Sequence, residues 1–369
     1  MGAFDRRRFL GACIAGAGLT LITGGQASAA DIPATVRDVL RRGLALGLPG
    51  IACGVTYGDR EYTAGAGHAA GPDSPAPDAR TLFQLGSITK TFTALAAAEA
   101  ETRGRLSLRD PLADHLHANW TVPQRGPRPI TLSDLATHTS GLPRLPADLF
   151  TTPGFDPLNP YAHYTREFLA NGLRHTELST DPGSTYGYSN FGFAMLGQAL
   201  GGSFDPALRS IALPLGMPDT TTRLTPGQRS RKATGHNLQG SEVPDWTGAP
   251  FAPAGAGTTF STVRDLLRYL RAQLTPAHTP FAESIRKTHV PRFTVNEEVS
   301  VGLGWHRSPL PGGQTMIWHD GGTGGFSTFV AFEPSSRTGV ALMANRTVDP
   351  NAGENLNSLG KELLLALRH

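Results

Sequence analysis

Cysteine, lysine and long apolar runs are all scarce in this chain of 369 residues. The two cysteines, Cys13 and Cys53, cannot staple a fold of this length, so stability must come from a packed core. No apolar run approaches the ~20 residues needed to cross a bilayer; the longest, from Leu10 to Ile22, is short and rich in Gly and Ala. Charged residues are only 17% of the whole, and no block of like charge marks a tail or a polyanion surface. Of 33 basic residues four are lysines, Lys90, Lys232, Lys287 and Lys361. Arginine therefore fills most positions that need only a positive charge, and a lysine is a candidate for work that needs a removable proton. There is also no Gly-x-Ser-x-Gly, which excludes the strained strand-to-helix elbow of α/β-hydrolases.

What is present is ordinary globular composition, 39% hydrophobic and 8% aromatic. The first residues carry Asp5-Arg6-Arg7-Arg8-Phe9-Leu10, the short apolar run and then Ala27-Ser28-Ala29, which resembles a twin-arginine export signal cleaved after Ala29. The expectation is a signal peptide over 1–29, a mature domain over 30–369, and a working place outside the cell or in its envelope. Leu10-Gly11-Ala12-Cys13 precedes the apolar run instead of ending it, which argues against a lipid anchor. The leader also holds three of the 33 basic residues and one of the 30 acidic ones. The remaining 30 and 29 nearly cancel, so the mature chain is no nucleic-acid binder. It retains Cys53 alone, read as a buried structural thiol.

Hydrophobic spacing predicts an amphipathic helix over 31–46, a hairpin of strands 51–57 and 60–66 around Gly58-Asp59, and a nearly wholly apolar helix over 88–103. From about 106 to 259 short helical patterns, such as Phe191 to Leu200, alternate with Pro/Gly-rich loops. Thr262 and Asp265 suggest a capping box for a helix to Leu274. Four extended runs follow, 301–307, 315–319, 327–332 and 339–345, and then a helix over 356–367. The expected class is α+β: an antiparallel sheet from about 30–105 and 260–369, flanked by helices, with a mostly helical insertion.

Three local patterns carry chemistry. Ser87-Ile88-Thr89-Lys90 places a hydroxyl and an amine one helical turn apart. Ser284 to Lys287 and Ser358 to Lys361 have the same spacing, but only Ser87 stands between an extended apolar run and a buried helix. There the first-turn N–H of Ser87 can meet a developing oxyanion, and apolar neighbours disfavour the charged form of Lys90. Tyr188-Ser189-Asn190, directly before a helix, offers a phenol to relay protons and an amide to hold a substrate carbonyl and orient Lys90. Trp318-His319-Asp320-Gly321-Gly322 ends a strand with glycines that let a substrate backbone approach, and the Gly322 N–H can complete a two-donor pocket.

In this order, and with Phe83-Gln84-Leu85-Gly86, Thr137-His138-Thr139-Ser140-Gly141-Leu142-Pro143 and Gly302-Leu303-Gly304-Trp305 around them, these motifs resemble serine hydrolases grouped around class C β-lactamases, D-Ala-D-Ala carboxypeptidases and β-lactamase-like esterases. The likeness runs from about 36 to 367. It implies Ser87 as nucleophile, Lys90 as its base, Tyr188 as acid/base partner, and Asn190, His319, Gly321 and Gly322 as substrate contacts, with no metal or cofactor. His319 departs from the Lys-Thr-Gly of class C β-lactamases and looks more like the carboxypeptidase branch, where it implies a weaker, pH-dependent positive field. Arg307 is a candidate grip for a substrate carboxylate, or a solvated strand residue.

The reading of function is therefore acyl transfer through acyl-Ser87, with removal of D-Ala from cell-wall peptide favoured. An esterase, an amide-forming transacylase or a penicillin-binding sensor without turnover are the alternatives. The expected partner is a small-molecule or peptide acyl substrate, such as a peptidoglycan stem peptide or a β-lactam. Among the decoys, His115-Leu116-His117 is followed by Ala118, Asn119 and Trp120 where the metallo-β-lactamase pattern has an acid and another His. Gly65-Ala66-Gly67 lacks the helix a dinucleotide fold needs.

Overall fold

The computed structural model describes residues 32–247, 254–349 and 351–368; the expected export signal lies outside them. An eight-stranded antiparallel sheet is the backbone of the molecule. Helix α1 (Ile32–Ala45) leads into the hairpin β1 (Gly50–Tyr57) and β2 (Arg60–Gly67). After the short β3 (Leu82–Gln84) comes α2 (Thr89–Thr102). The segment up to 259 holds α3 (Leu132–Ala136), α4 (Arg166–Arg174), α5 (Asn190–Ala199), α6 (Phe204–Ala212), α7 (Pro226–Arg229) and α8 (Ala254–Gly257), joined by irregular crossings. Then follow β4 (Phe260–Thr262), α9 (Val263–Leu274), α10 (Ala282–His289), β5 (Phe293–Thr294), β6 (Ser300–Val301), β7 (His306–Pro309), β8 (Thr315–Gly322), β9 (Ser327–Glu333), β10 (Thr338–Ala344) and α11 (Leu356–Leu367).

The sheet order is β2-β1-β10-β9-β8-β7-β6-β5, and β3 pairs with β4 apart from it. The N-terminal hairpin joins the C-terminal strands in one antiparallel sheet, as expected, with Cys53 facing Leu342 across the β1–β10 ladder. Burial of Cys53 pushes its thiol pKa up, as suits an inert core residue. One sheet face packs on α1 and α11 through Val36, Leu40, Trp318, Phe329 and Leu363. The other packs on α2 and α9 through Phe92, Leu266, Leu270, Val330 and Phe332. A second core fills the helical segment around Leu135, Leu169, Phe193 and Leu303.

Helix α2 lies where the cores meet, and twelve of its fourteen residues, Thr89 to Ala100, are buried. Its alanines allow that close approach from every side, since no polar face has to reach water. Thr262 caps α9 by accepting the Asp265 N–H (3.1 Å), but the expected capping box does not close. The Asp265 carboxylate instead accepts from the Asp219 N–H and the Thr220 hydroxyl.

One predicted strand is broken. The run 301–307 is two short strands joined by Gly302-Leu303-Gly304-Trp305, with the Gly302 N–H donating to the Trp305 carbonyl (2.9 Å) and Gly304 at φ +68°. A side chain at Gly304 would press on Ala94 and on the Lys90 carbonyl. Alternating hydrophobicity cannot report a turn made for close approach to a neighbouring helix. That turn braces α2 directly behind Lys90.

Candidate active site

Ser87 sits in the single 3-10 turn, Gly86 to Ile88, that begins α2. Gly86 adopts φ +53°, and a Cβ on it would stand 2.6 Å from the Gly322 nitrogen. A glycine there lets the β8 terminus close on the Ser87 turn. Gly321 is pressed so tightly on the Leu85 carbonyl and Thr328 that a Cβ would collide with both, and the Thr328 hydroxyl donates to that same carbonyl (2.8 Å). Gly321 therefore packs against the Leu85 backbone and sets the strand's distance from Ser87, a correction to its reading as a substrate contact.

Ladder alternation aims the Gly322 N–H. Thr323 donates to the Phe326 carbonyl on the β9 side (3.0 Å), so the neighbouring Gly322 N–H points to the other edge. Strand β7 covers that edge only from Thr315 to Trp318. The Gly322 amide thus emerges beyond the end of β7, beside the first-turn amide of Ser87, and two converging donors are the geometry an oxyanion needs.

Lys90 is wholly inaccessible to solvent, at 0% exposure. Its Nζ lies 2.9 Å from Ser87 Oγ and donates to the Ala256 carbonyl at 2.6 Å. Burial, followed by the Arg144 charge, lowers its pKa well below that of a free lysine. In the neutral amine one N–H serves Ala256 and the lone pair is left for the Ser87 hydroxyl. Helix α8 can bring that carbonyl in because Gly255 packs against the Phe193 carbonyl and Gly197 without a side chain.

The Tyr188 phenol hydrogen-bonds Ser87, while burial pushes its pKa up and Arg144 opposes that rise. Lys90 Nζ lies 5.1 Å from the Tyr188 ring centroid. The ring stacks on His138 (centroids 4.2 Å apart). In the sequence His138 has no signal beyond its flanking block, and its place under the tyrosine depends on backbone shape: at φ +60° its carbonyl accepts from Gly187 and its Nδ1 from the Ser189 N–H (3.0 Å). Those bonds offset the left-handed backbone of a non-glycine residue.

Asn190 begins α5, and its amide pairs with the Tyr161 phenol. Its Oδ1 is buried with no partner among the described residues. Among the described residues the hydrogen bonds of Lys90 Nζ go to Ser87 and Ala256, so the expected orienting role of Asn190 passes to the Ala256 carbonyl.

His319 is also fully buried. Burial, reinforced by Lys90, lowers its pKa to about 3, so at neutral pH it supplies no positive field, which corrects the expectation drawn from the motif. Its Nδ1 lies 2.6 Å from the Asp320 carbonyl, which only accepts, so the proton sits on Nδ1 and Nε2 presents a lone pair. His306 on β7, missed in the sequence, pairs with the Tyr186 hydroxyl (3.0 Å) and is likewise lowered to about 3. Arg307 donates to the His289 carbonyl (2.5 Å). That bond engages its guanidinium at the C-terminal end of α10, and the reading of it as a carboxylate grip is withdrawn.

The decoy pairs are structural. Ser284 donates to Glu99 (2.5 Å) and Lys287 pairs with Glu101 and Glu283. Ser358 closes a capping box with Asn355, and Lys361 lies over Trp318. His115 and His117 bond Asp110 and Asn119.

A family model described as Beta-lactamase matches residues 36–364. The D-alanyl-D-alanine-carboxypeptidase/endopeptidase AmpH of Escherichia coli (strain K12) is 29% identical over 339 residues, covering 86% of this chain and 85% of its own. A β-lactamase of Pseudomonas fluorescens is 31% identical over 314 residues, covering 74% and 81%. Among solved structures, a β-lactamase/D-alanine carboxypeptidase from Yersinia pestis in complex with citrate superposes with TM-score 0.77 at 26% identity, over 91% of this chain and 99% of that one. A mutant class C β-lactamase shares the fold at TM-score 0.76. With the serine, the buried amine and the phenol brought to one point of that same fold, the chain belongs to the β-lactamase family of serine hydrolases.

Proposed function

We propose that this serine hydrolase is a D-Ala-D-Ala carboxypeptidase-like peptidase acting on cell-wall peptides, exported by the twin-arginine route. The observation that carries the catalytic part is a lysine of 0% exposure with its Nζ 2.9 Å from a serine hydroxyl. Neutral Lys90 takes the Ser87 proton as Oγ bonds to the substrate carbonyl carbon. The oxyanion is held by the N–H groups of Ser87 and Gly322. Collapse breaks the C–N bond, the departing amine takes the Tyr188 proton, and the phenol regains one from the Lys90 ammonium. Water then cleaves the acyl-Ser87 ester.

The peptidase half of the reading is supported by the likeness to AmpH and by a neutral His319 where class C β-lactamases, on the resemblance, carry a lysine. The test is a turnover panel on the leaderless protein: a D-Ala-D-Ala peptide, nitrocefin and a short-chain p-nitrophenyl ester. Release of D-Ala as the favoured reaction supports the proposal. Ester turnover without peptide cleavage would replace it with the esterase reading, and a single acylation burst would replace it with the sensor. Export is tested by whether an Arg6→Lys, Arg7→Lys, Arg8→Lys triple variant stays in the cytoplasm.

A further inference from the structure

The walls of this site are poor in lasting positive charge. Burial lowers the pKa of Lys90 and keeps His138, His306 and His319 neutral; Arg307 is turned to His289. Asp320 brings a negative charge, held toward α11 by Asn357 (3.0 Å). Arg144 differs in keeping its charge, since a guanidinium does not lose its proton in proteins. Its guanidinium carbon stands 4.9 Å from the Tyr188 ring centroid, and its field reaches Lys90, Tyr188, Tyr161 and His138.

The backbone fixes it there. The Arg144 carbonyl accepts the N–H groups of Asn190 (3.0 Å) and Phe191 (3.1 Å), and the Pro143 carbonyl accepts the Ser189 hydroxyl (2.7 Å). Residues 143–144 are thereby joined to the same turn that delivers Tyr188 and Asn190. A guanidinium keeps its proton in proteins and has five donors in a planar fork, a shape matched to a carboxylate.

We propose that Arg144 is the specificity residue for a carboxylate carried by the leaving group. The inference rests on the reading of Tyr188 as proton donor to that group: a residue over the phenol is next to whatever the departing atom carries. In a D-Ala leaving group the carboxylate is attached to the carbon bonded to the leaving nitrogen, so the two recognitions fall side by side. The charge selects for the free acid, and neutral leaving groups forgo it.

The experiment measures kcat/KM on two matched pairs: N-acetyl-D-alanyl-D-alanine against its C-terminal amide, and the depsipeptide N-acetyl-D-alanyl-D-lactate against its methyl ester. The readout is the acid-to-neutral ratio within each protein, which does not depend on the fraction folded. The parent should favour the acid. In Arg144→Gln the ratio should fall about 10- to 100-fold, the range for a charge-assisted hydrogen bond, and Arg144→Lys should retain part of it. An unchanged ratio in Arg144→Gln overturns the proposal, as does a parent with no preference for the acid. If the peptide pair is inert but the depsipeptide ratio behaves as expected, the peptidase reading fails and the assignment of Arg144 stands.

Discussion

Replacing Lys90 by arginine preserves a positive charge and removes the one property the mechanism uses, an amine that can release its proton. The magnitude follows from where the side chain sits. With its Nζ 2.9 Å from Ser87 Oγ and 0% exposure, Lys90 is placed as the general base of the proposed mechanism, and such a base is worth about 10²- to 10⁴-fold, or ~3–5 kcal/mol of barrier. A guanidinium cannot accept the Ser87 proton. It would also place a second permanent charge near Arg144 at a position closed to solvent, at a cost of several kcal/mol in stability. Lys90→Met is therefore needed alongside: it lacks the base but buries no charge. Acylation would be followed by intact mass after exposure to benzylpenicillin, and turnover with a p-nitrophenyl ester, with thermal melts of all three proteins. Both variants should lose at least a hundredfold in acylation. Because the folded-state pKa of Lys90 lies below its ordinary 10.5, the unfolded chain binds the extra proton, and the parent loses stability as pH falls below about 10.5. The Tm of Lys90→Met relative to the parent should accordingly rise as pH is lowered. A folded Lys90→Arg protein that acylates at the parental rate would end the neutral-amine mechanism.

Tyr188→Phe keeps the ring on His138 and removes the phenol, so kcat should drop about 10²- to 10⁴-fold with little change in melting temperature; parental kcat would remove Tyr188 from proton transfer. Gly321→Ala forces a methyl against the Leu85 carbonyl and Thr328, and should cost ~1–3 kcal/mol in a urea melt together with lost acylation; an unaltered midpoint would show that the strand contact is loose. The pH profile of kcat/KM should have one acid limb, from protonation of Lys90. Since His319 titrates at about 3, His319→Gln should leave that limb in place, and a shifted limb would make the imidazole the titrating group.

How much of this was legible in the chain depends on how local the governing physics is. The helix over Thr89–Thr102 and the N-terminal hairpin come from spacing and turn chemistry that a short window contains. The same holds for Ser87 and Lys90, one turn apart at a helix start. The break in the strand 301–307 was invisible because Gly304 answers to Ala94 and Lys90 in another element. His138 and Arg144 escaped for a similar reason: a histidine with a positive φ and an arginine after a proline have no signature of their own, and their importance comes from bonds to residues about fifty positions away.

Residue types and spacings were sufficient for the chemistry on offer: a hydroxyl, a removable proton, a phenol and a glycine-ended strand. Charge state belonged to the folded molecule. Desolvation depends on what surrounds a group in space, so only packing could lower the pKa of Lys90, silence His319, turn Arg307 to the His289 carbonyl, and set the Arg144 guanidinium over the Tyr188 ring.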